Sequence, residues 1–268
     1  MYYYGARYYD PRISIFVSVD PLAEETMTPY QYVGNNPINM IDPTGMNHHD
    51  YKLNSDGSLK LLNETTDDFD RIFREDGKKS IIVSKSFLWG ENPSGRFNPT
   101  LPTYGKKAKY NLTNEEVESG KGIEIFKFFA RNTTKEWDYN EFSDGKTDSK
   151  FGYLSTSHQS NTVKGSNALV KSVLDRSNDI MWLHSEHSHP NARTIKDFLP
   201  SGWSLNASGE IRRTIDAATN KPNGDRGFYD SFRSDSKYNR RMPRYHHVFS
   251  PYLNKTIRYD NESFNFIK

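Results

Sequence analysis

The chain has 268 residues, of which 34% are hydrophobic and 14% aromatic, so it can bury a sizeable core in one or two domains. It contains no cysteine, which excludes disulfides and thiolate ligands and leaves His, Asp and Glu to bind any metal. The formal net charge is only +2, and the small basic excess lies after residue 46, which argues against a nucleic-acid partner.

The N-terminus lacks the charged-then-apolar pattern of a signal peptide. No segment approaches the roughly 20 consecutive apolar residues of a membrane-spanning helix. We therefore expect a protein without a membrane span that depends on another factor for export.

Residues 1–46 are dense in Tyr, Asn, Pro and Gly and cannot build a core alone. They contain the motifs Gly-Ala-Arg-Tyr-Tyr-Asp-Pro (5–11), Ser-Val-Asp-Pro (18–21), Tyr-Val-Gly-Asn-Asn-Pro (32–37) and Asp-Pro-Thr-Gly (42–45). Together these motifs resemble the C-terminal end of an Rhs/YD-repeat core. The resemblance implies a short β and turn fragment of a core shell, followed by a variable toxin domain. It also implies a secretion apparatus, such as a type VI system, and a cognate immunity protein as partners.

The motifs Asp-Pro-Leu-Ala (20–23) and Asp-Pro-Thr-Gly (42–45) are separated by the 18 residues 24–41. In the Rhs family such a pair releases the toxin by self-cleavage after the residue that follows D-P-x-G, here Met46. Two neighbouring carboxylates do not both ionise easily, so one can act as acid and the other as base. Ala23 stands where glycine is usual and Met46 where leucine is usual. The alternative is that both pairs only form turns.

Residues 47–110 predict a β-rich lead-in in which we find no chemistry. The segment 51–62 predicts a hairpin around Asp56-Gly57, and 79–89 predicts another strand. Residues 90–104 contain three prolines and predict a loop.

From residue 111 onward the pattern predicts an α+β domain. Thr113 and Glu116 form a candidate capping box, and apolar residues from Ile125 follow helical spacing. The further predicted elements are strands at 135–142 and 153–157, a helix at 166–174, a strand that begins at 180, and a terminal hairpin of 244–250 and 255–259.

The apolar run 180–183 predicts a buried strand that continues towards His187 and His189. Side chains at i and i+2 of a strand point to the same face, so the two imidazoles should converge. Imidazoles are standard zinc ligands, and a catalytic zinc site usually has three protein ligands and one open position. The alternative is a solvated, polar strand end.

Pro190 closes this strand, because proline cannot donate to a ladder. The run His187-Ser188-His189-Pro190 resembles the H-x-H-P signature of the JAB (JAMM) family of zinc-dependent peptidases, and the order of elements over 111–260 is similar to that family's fold. The resemblance implies a mixed sheet flanked by helices, a bound Zn²⁺, and hydrolysis of peptide or isopeptide bonds.

The resemblance also implies a glutamate on an early strand that takes a proton from the attacking water. Glu136 stands at that position. Glu124 and Glu141 are its rivals, but Glu124 lies on the preceding predicted helix and Glu141 should face the other side of the strand. Glu186 should point to the opposite face of the strand from the histidines. We therefore expect it at most to contact a metal ligand, without binding the metal itself.

The family supplies its third ligand from an S-x-x-D motif, which does not follow Pro190 at the usual distance. Residues 191–221 look like an insertion, and we assign the third ligand to Asp225, at the start of the next predicted helix. Asp216 is the alternative ligand, and an Asn-Gly-Asp turn without metal is the other alternative. Pro222 occupies the position of the family's oxyanion-stabilising serine. The candidate replacements are Ser201, Ser204 and Ser208.

The sequence therefore predicts three segments: an Rhs-core fragment at 1–46, a lead-in at 47–110 and a JAB-like toxin domain at 111–268. We expect a delivered effector that hydrolyses a protein substrate inside a target cell. One alternative is a metal-dependent nuclease, since His246-His247 and Asn254 loosely resemble an H-N-H arrangement. Another is a non-enzymatic domain that binds a partner or forms a structural tip. The absence of the family's serine is consistent with this alternative.

Overall fold

The computed structural model describes residues 2–3, 8–13, 15–19, 30, 49–64, 69–84, 87, 109–163 and 165–267. The chain forms two compact units, Met1–Leu53 with Leu59–Lys85, and Asn54–Ser58 with Ser86–Lys268. The Asp-Pro motifs at Asp20 and Asp42 and the cleavage position at Met46 lie outside the described residues, so the division into 1–46, 47–110 and 111–268 stays a prediction. The described helices include none that is long and apolar enough to cross a membrane.

The first unit contains two small sheets. Strands β1 (Tyr2–Tyr3), β2 (Tyr8–Asp10) and β3 (Ile15–Phe16) form one, and β4 (His49–Leu53), β5 (Leu59–Glu64), β6 (Phe69–Phe73) and β7 (Ser80–Ser84) form the other in the order β5-β4-β6-β7. The pairing of β4 with β5 gives the predicted hairpin, with Gly57 at a φ of 84° in its turn. Strand β7 lies within the predicted segment 79–89.

The second unit is built on a seven-stranded mixed sheet. Its strands are β8 (Lys109–Leu112), β9 (Trp137–Asp144), β10 (Lys150–Thr156), β11 (Ile180–Ser188), β14 (His246–Ser250), β15 (Lys255–Tyr259) and β16 (Phe264–Ile267). Their order is β16-β15-β14-β11-β9-β10-β8, and only the β11–β14 pairing is parallel within this sheet. A separate hairpin of β12 (Trp203–Leu205) and β13 (Ile211–Arg213) lies in the predicted insertion.

The helices of this unit are α1 (Asn114–Glu118), α2 (Lys121–Asn132), α3 (Ser166–Leu174), α4 (Ile195–Phe198) and α5 (Gly224–Arg233). The predicted capping box starts α1: Thr113 Oγ1 accepts from the Glu116 amide at 3.2 Å, and Glu116 Oε2 accepts from the Thr113 amide at 2.9 Å. Gly120, with a φ of 77°, separates α1 from α2. The mixed sheet and helices fit the predicted α+β class.

A hydrophobic core fixes strand β11 against its helices. Trp182 of β11 is buried in a cluster with Phe142 of β9, Val170 of α3 and Phe232 of α5. Its indole Nε1–H donates to Asn140 Oδ1 at 3.0 Å, so the polar atom of this large side chain is satisfied inside the core. The core therefore sets the register of β11 and places the end of this strand next to α5.

Candidate metal centre and active site

The two predicted histidines converge at the end of β11. His187 is the penultimate residue of the strand and pairs with Asp138 of β9. His189 follows the strand, and its amide donates to the Phe249 carbonyl at 2.8 Å. Their Nε2 atoms lie 3.2 Å apart. Ser188 alternates to the other side, where its Oγ accepts from the Trp137 amide at 2.9 Å, so the spacing places both imidazoles on one face as expected.

Glu136 lies beside these histidines, immediately before β9. Its amide donates to the Gln159 carbonyl, and its carbonyl accepts from Thr156 Oγ1, both at 2.7 Å. The residue is only 7% exposed. A carboxylate oxygen of Glu136 and one nitrogen of each histidine all lie within 4.8 Å of one another. The strand begins one residue later than Glu136, but the predicted position of the carboxylate next to the histidines is observed.

Asp225 completes the cluster from the first turn of α5. Its Oδ1 lies 3.2 Å from His187 Nε2, and its Oδ2 lies 3.6 Å from His189 Nε2. Asp216, the alternative, is half-buried and does not line the pocket, and its Oδ1 accepts from the amides of Ala218 and Thr219. Asp216 therefore stabilises a turn, whereas Asp225 faces the histidines.

These four residues line one pocket of about 250 Å³. Its other polar side chains include Asp138, Ser166 and Ser201. Asp138 Oδ2 accepts from the Ser166 hydroxyl and, at 2.6 Å, from Asn140 Nδ2. Asp138 is a site residue that was not predicted, although its position two residues after Glu136 places it on the same side of the chain.

The cluster is strongly coupled electrostatically. Burial raises the pKa of Glu136 to about 7, although the nearby imidazoles oppose this shift. Burial also disfavours the charged form of His187, but the carboxylate of Asp225 outweighs it and raises the pKa to about 9. Burial alone would raise the pKa of Asp225, yet His187 holds it well below its usual range. At neutral pH and without metal, His187 and Asp225 therefore form an ion pair.

The rival glutamates lie elsewhere. Glu124 is on α2, as predicted. Glu141 accepts from the Tyr139 hydroxyl at 3.1 Å, and Glu186 lies 3.2 Å from His184 Nε2. None of the three lines the pocket, so Glu186 does not support the cluster by direct contact.

The residues of the H-N-H alternative do not form a site together. His246 is buried among the rings of Trp182, Phe228, Tyr229 and Tyr259, and burial holds its pKa well below the usual value. Asn254 accepts from Arg131 Nη2 at 2.6 Å. His246 and His247 lie on strand β14.

Residues 115–229 match the family model described as JAB-like toxin 1. This range contains all four residues of the cluster, and the match supports a JAB-like toxin domain in this part of the chain. Salivary gland surface protein 1 of Aedes aegypti is 49% identical over 45 residues, which cover 17% of this chain and only 1% of that protein. No solved structure matches the chain.

Proposed function

We propose that the chain is a toxin effector whose JAB-like domain is a zinc-dependent peptidase or isopeptidase. The observation that carries this proposal is the convergence of His187, His189, Asp225 and Glu136 on one pocket from separate elements. His187, His189 and Asp225 are the proposed zinc ligands, and Glu136 is the proposed general base.

The donor set fits zinc. Two imidazole nitrogens and one carboxylate are common ligands of this metal, and three protein ligands leave a position for water or substrate. The carboxylate of Asp225 faces both imidazoles at ion-pair distance. Its negative charge would therefore partly neutralise a metal cation bound between these side chains. When bound, zinc supplies Lewis acidity and makes water acidic enough to ionise near neutral pH.

Glu136 has the properties that proton transfer requires. In the metal-free protein burial raises the pKa of this carboxyl to about 7, and its position beside the histidines lets the carboxylate accept a proton from the attacking water and release it to the leaving amine. The two backbone hydrogen bonds of the residue fix its main chain beside the histidines, and the residue is buried. No covalent enzyme intermediate is needed.

A comparison of substrates tests the reaction class. We expect the zinc-loaded full chain to cleave peptide or isopeptide bonds in proteins from susceptible cells, with the His187→Ala variant inactive under the same conditions. Degradation of DNA or RNA instead would support the nuclease alternative. Zinc binding with neither activity would support the non-enzymatic alternative.

Zinc binding should depend strongly on pH. Because the pKa of His187 is about 9 in the metal-free protein, this imidazole is protonated at pH 7 and must lose its proton to bind metal. We expect zinc binding at pH 7 to release protons and the affinity to rise with pH up to about pH 9. Calorimetry in buffers of different ionisation enthalpy measures this release. A pH-independent affinity would contradict the proposed role of His187.

We further propose that residues 1–46 are the end of an Rhs core and that the toxin is released by cleavage between Met46 and Asn47. The motifs of the fragment support this proposal. Delivery into a target cell, a core shell with its secretion apparatus and a cognate immunity protein belong to the same proposal.

When the chain is expressed joined to its core, Asp42→Asn should abolish processing, because an amide cannot act as the acid or base of a carboxylate pair. Mass spectrometry should find a fragment that begins at Asn47 only in the parent protein. Glu25→Gln is a control that changes a carboxylate of the same fragment outside the Asp-Pro motifs. Equal cleavage of parent and Asp42→Asn would show that the Asp-Pro pairs are structural.

A further inference from the structure

The residue pair Ser201 and Asp225 is joined by reciprocal hydrogen bonds. The Ser201 amide donates to Asp225 Oδ2 at 2.6 Å, and the Asp225 amide donates to Ser201 Oγ at 2.9 Å. The Arg226 amide also donates to the Ser201 carbonyl, at 3.2 Å. The loop that carries Ser201 is therefore fixed on the first turn of α5, in register with the proposed ligand.

Two glycines make this close approach possible. Gly224 has a φ of +55°, and a Cβ on it would collide with the side chain of Ser201. Gly202 has a φ of +93°, and a Cβ on it would lie 2.6 Å from the Asn223 carbonyl oxygen. Larger residues at these two positions would push the loop away from α5, so the contact requires glycine at both.

The hydroxyl proton of Ser201 is free to be donated to a ligand of the pocket. The hydroxyl oxygen accepts from the Asp225 amide, and within the described part of the chain no residue accepts the hydroxyl proton. Ser201 is exposed and lines the pocket. Ser166, another pocket serine, donates its proton to Asp138 instead. Ser204 and Ser208 are not among the residues that line the pocket.

We propose that Ser201 is a catalytic residue that donates a hydrogen bond to the substrate's carbonyl oxygen as negative charge develops there. This role rests on the proposed hydrolase function. Hydrolysis of an amide moves the carbonyl π electrons onto oxygen, and a fixed donor at that oxygen lowers the barrier. The loop that carries Ser201, within the predicted insertion 191–221, would thus supply the hydroxyl that is missing at Pro222.

The proton balance leaves Ser201 unchanged. As the water oxygen bonds to the carbonyl carbon, its proton passes to Glu136, and the developing oxyanion accepts a hydrogen bond from Ser201 Oγ–H. When the C–N bond breaks, its electron pair goes to nitrogen, which takes the proton from Glu136. The serine keeps its own proton throughout.

The test uses acetohydroxamate, a small zinc chelator whose oxygen atoms can accept a hydrogen bond, and mercaptoethanol, which binds zinc through sulfur. In the cobalt-substituted full chain, visible spectra report both ligands. We expect Ser201→Ala to retain metal, to weaken acetohydroxamate binding roughly tenfold and to leave mercaptoethanol binding unchanged. Toxicity should fall by roughly 10²-fold. Ser201→Thr, which keeps the hydroxyl, should restore both properties.

Ser185→Ala is the matched control, because Ser185 lines the same pocket from β11. Equal acetohydroxamate affinity in the parent and Ser201→Ala would overturn the role of Ser201 while leaving the zinc site intact. Loss of the metal in Ser201→Ala would reduce the residue to a positioning role for Asp225 and also overturn the proposal. A parent protein that binds no metal would instead overturn the proposed function on which this role rests.

Discussion

Glu136→Gln should leave the zinc content unchanged while toxicity to a susceptible cell falls by roughly 10²-fold or more. Glutamine has nearly the shape of glutamate, so the backbone hydrogen bonds that fix this residue should persist. An amide cannot accept the proton from water at neutral pH, and the reaction would lose its base. In the metal-free protein burial raises the pKa of the Glu136 carboxyl to about 7, so the substitution also removes a group that titrates near neutral pH there.

Glu141→Gln is the matched control. Glu141 lies on the adjacent strand β9 but outside the pocket, and its carboxylate contacts the Tyr139 hydroxyl. We expect this variant to keep both zinc and toxicity. Full toxicity of Glu136→Gln with zinc retained would contradict the proposed base. Loss of zinc in Glu136→Gln would mean that Glu136 holds metal.

The strand and helix that frame the site could be predicted because their signals are local. The apolar run before His187, the alternation of the two histidines and the proline that follows determine one strand and one face. The helix Ser166–Leu174 has the bounds that the sequence predicts. These patterns need only neighbouring residues, so the sequence alone reveals them.

The contacts made through the insertion could not be predicted in the same way. Strands β12 and β13 have three residues each, too short to leave a periodic signal. The pairing of Ser201 with Asp225 depends on a loop that meets a helix distant in sequence, and nothing local specifies it. The contact between Ser166 and Asp138 likewise joins a helix start to a strand.

The edge strand β16 was not predicted either. Its sequence is Phe-Asn-Phe-Ile, and the predicted terminal hairpin ends before it at Tyr259, the last residue of β15. Strand β16 pairs with β15 at the edge of the sheet, on the opposite side of β14 from β11. It extends the sheet without adding a residue to the pocket.

The zinc content of the purified chain and its ligand variants decides whether the proposed centre exists. We expect about one zinc per chain in the parent protein, and none in His187→Ala, His189→Ala or Asp225→Asn, because two remaining protein ligands should not hold the metal stably. Asp216→Asn, which changes a turn aspartate outside the pocket, should retain zinc. A parent protein that binds no zinc after supplementation, or an Asp225→Asn variant that keeps it, would contradict the proposed ligand set.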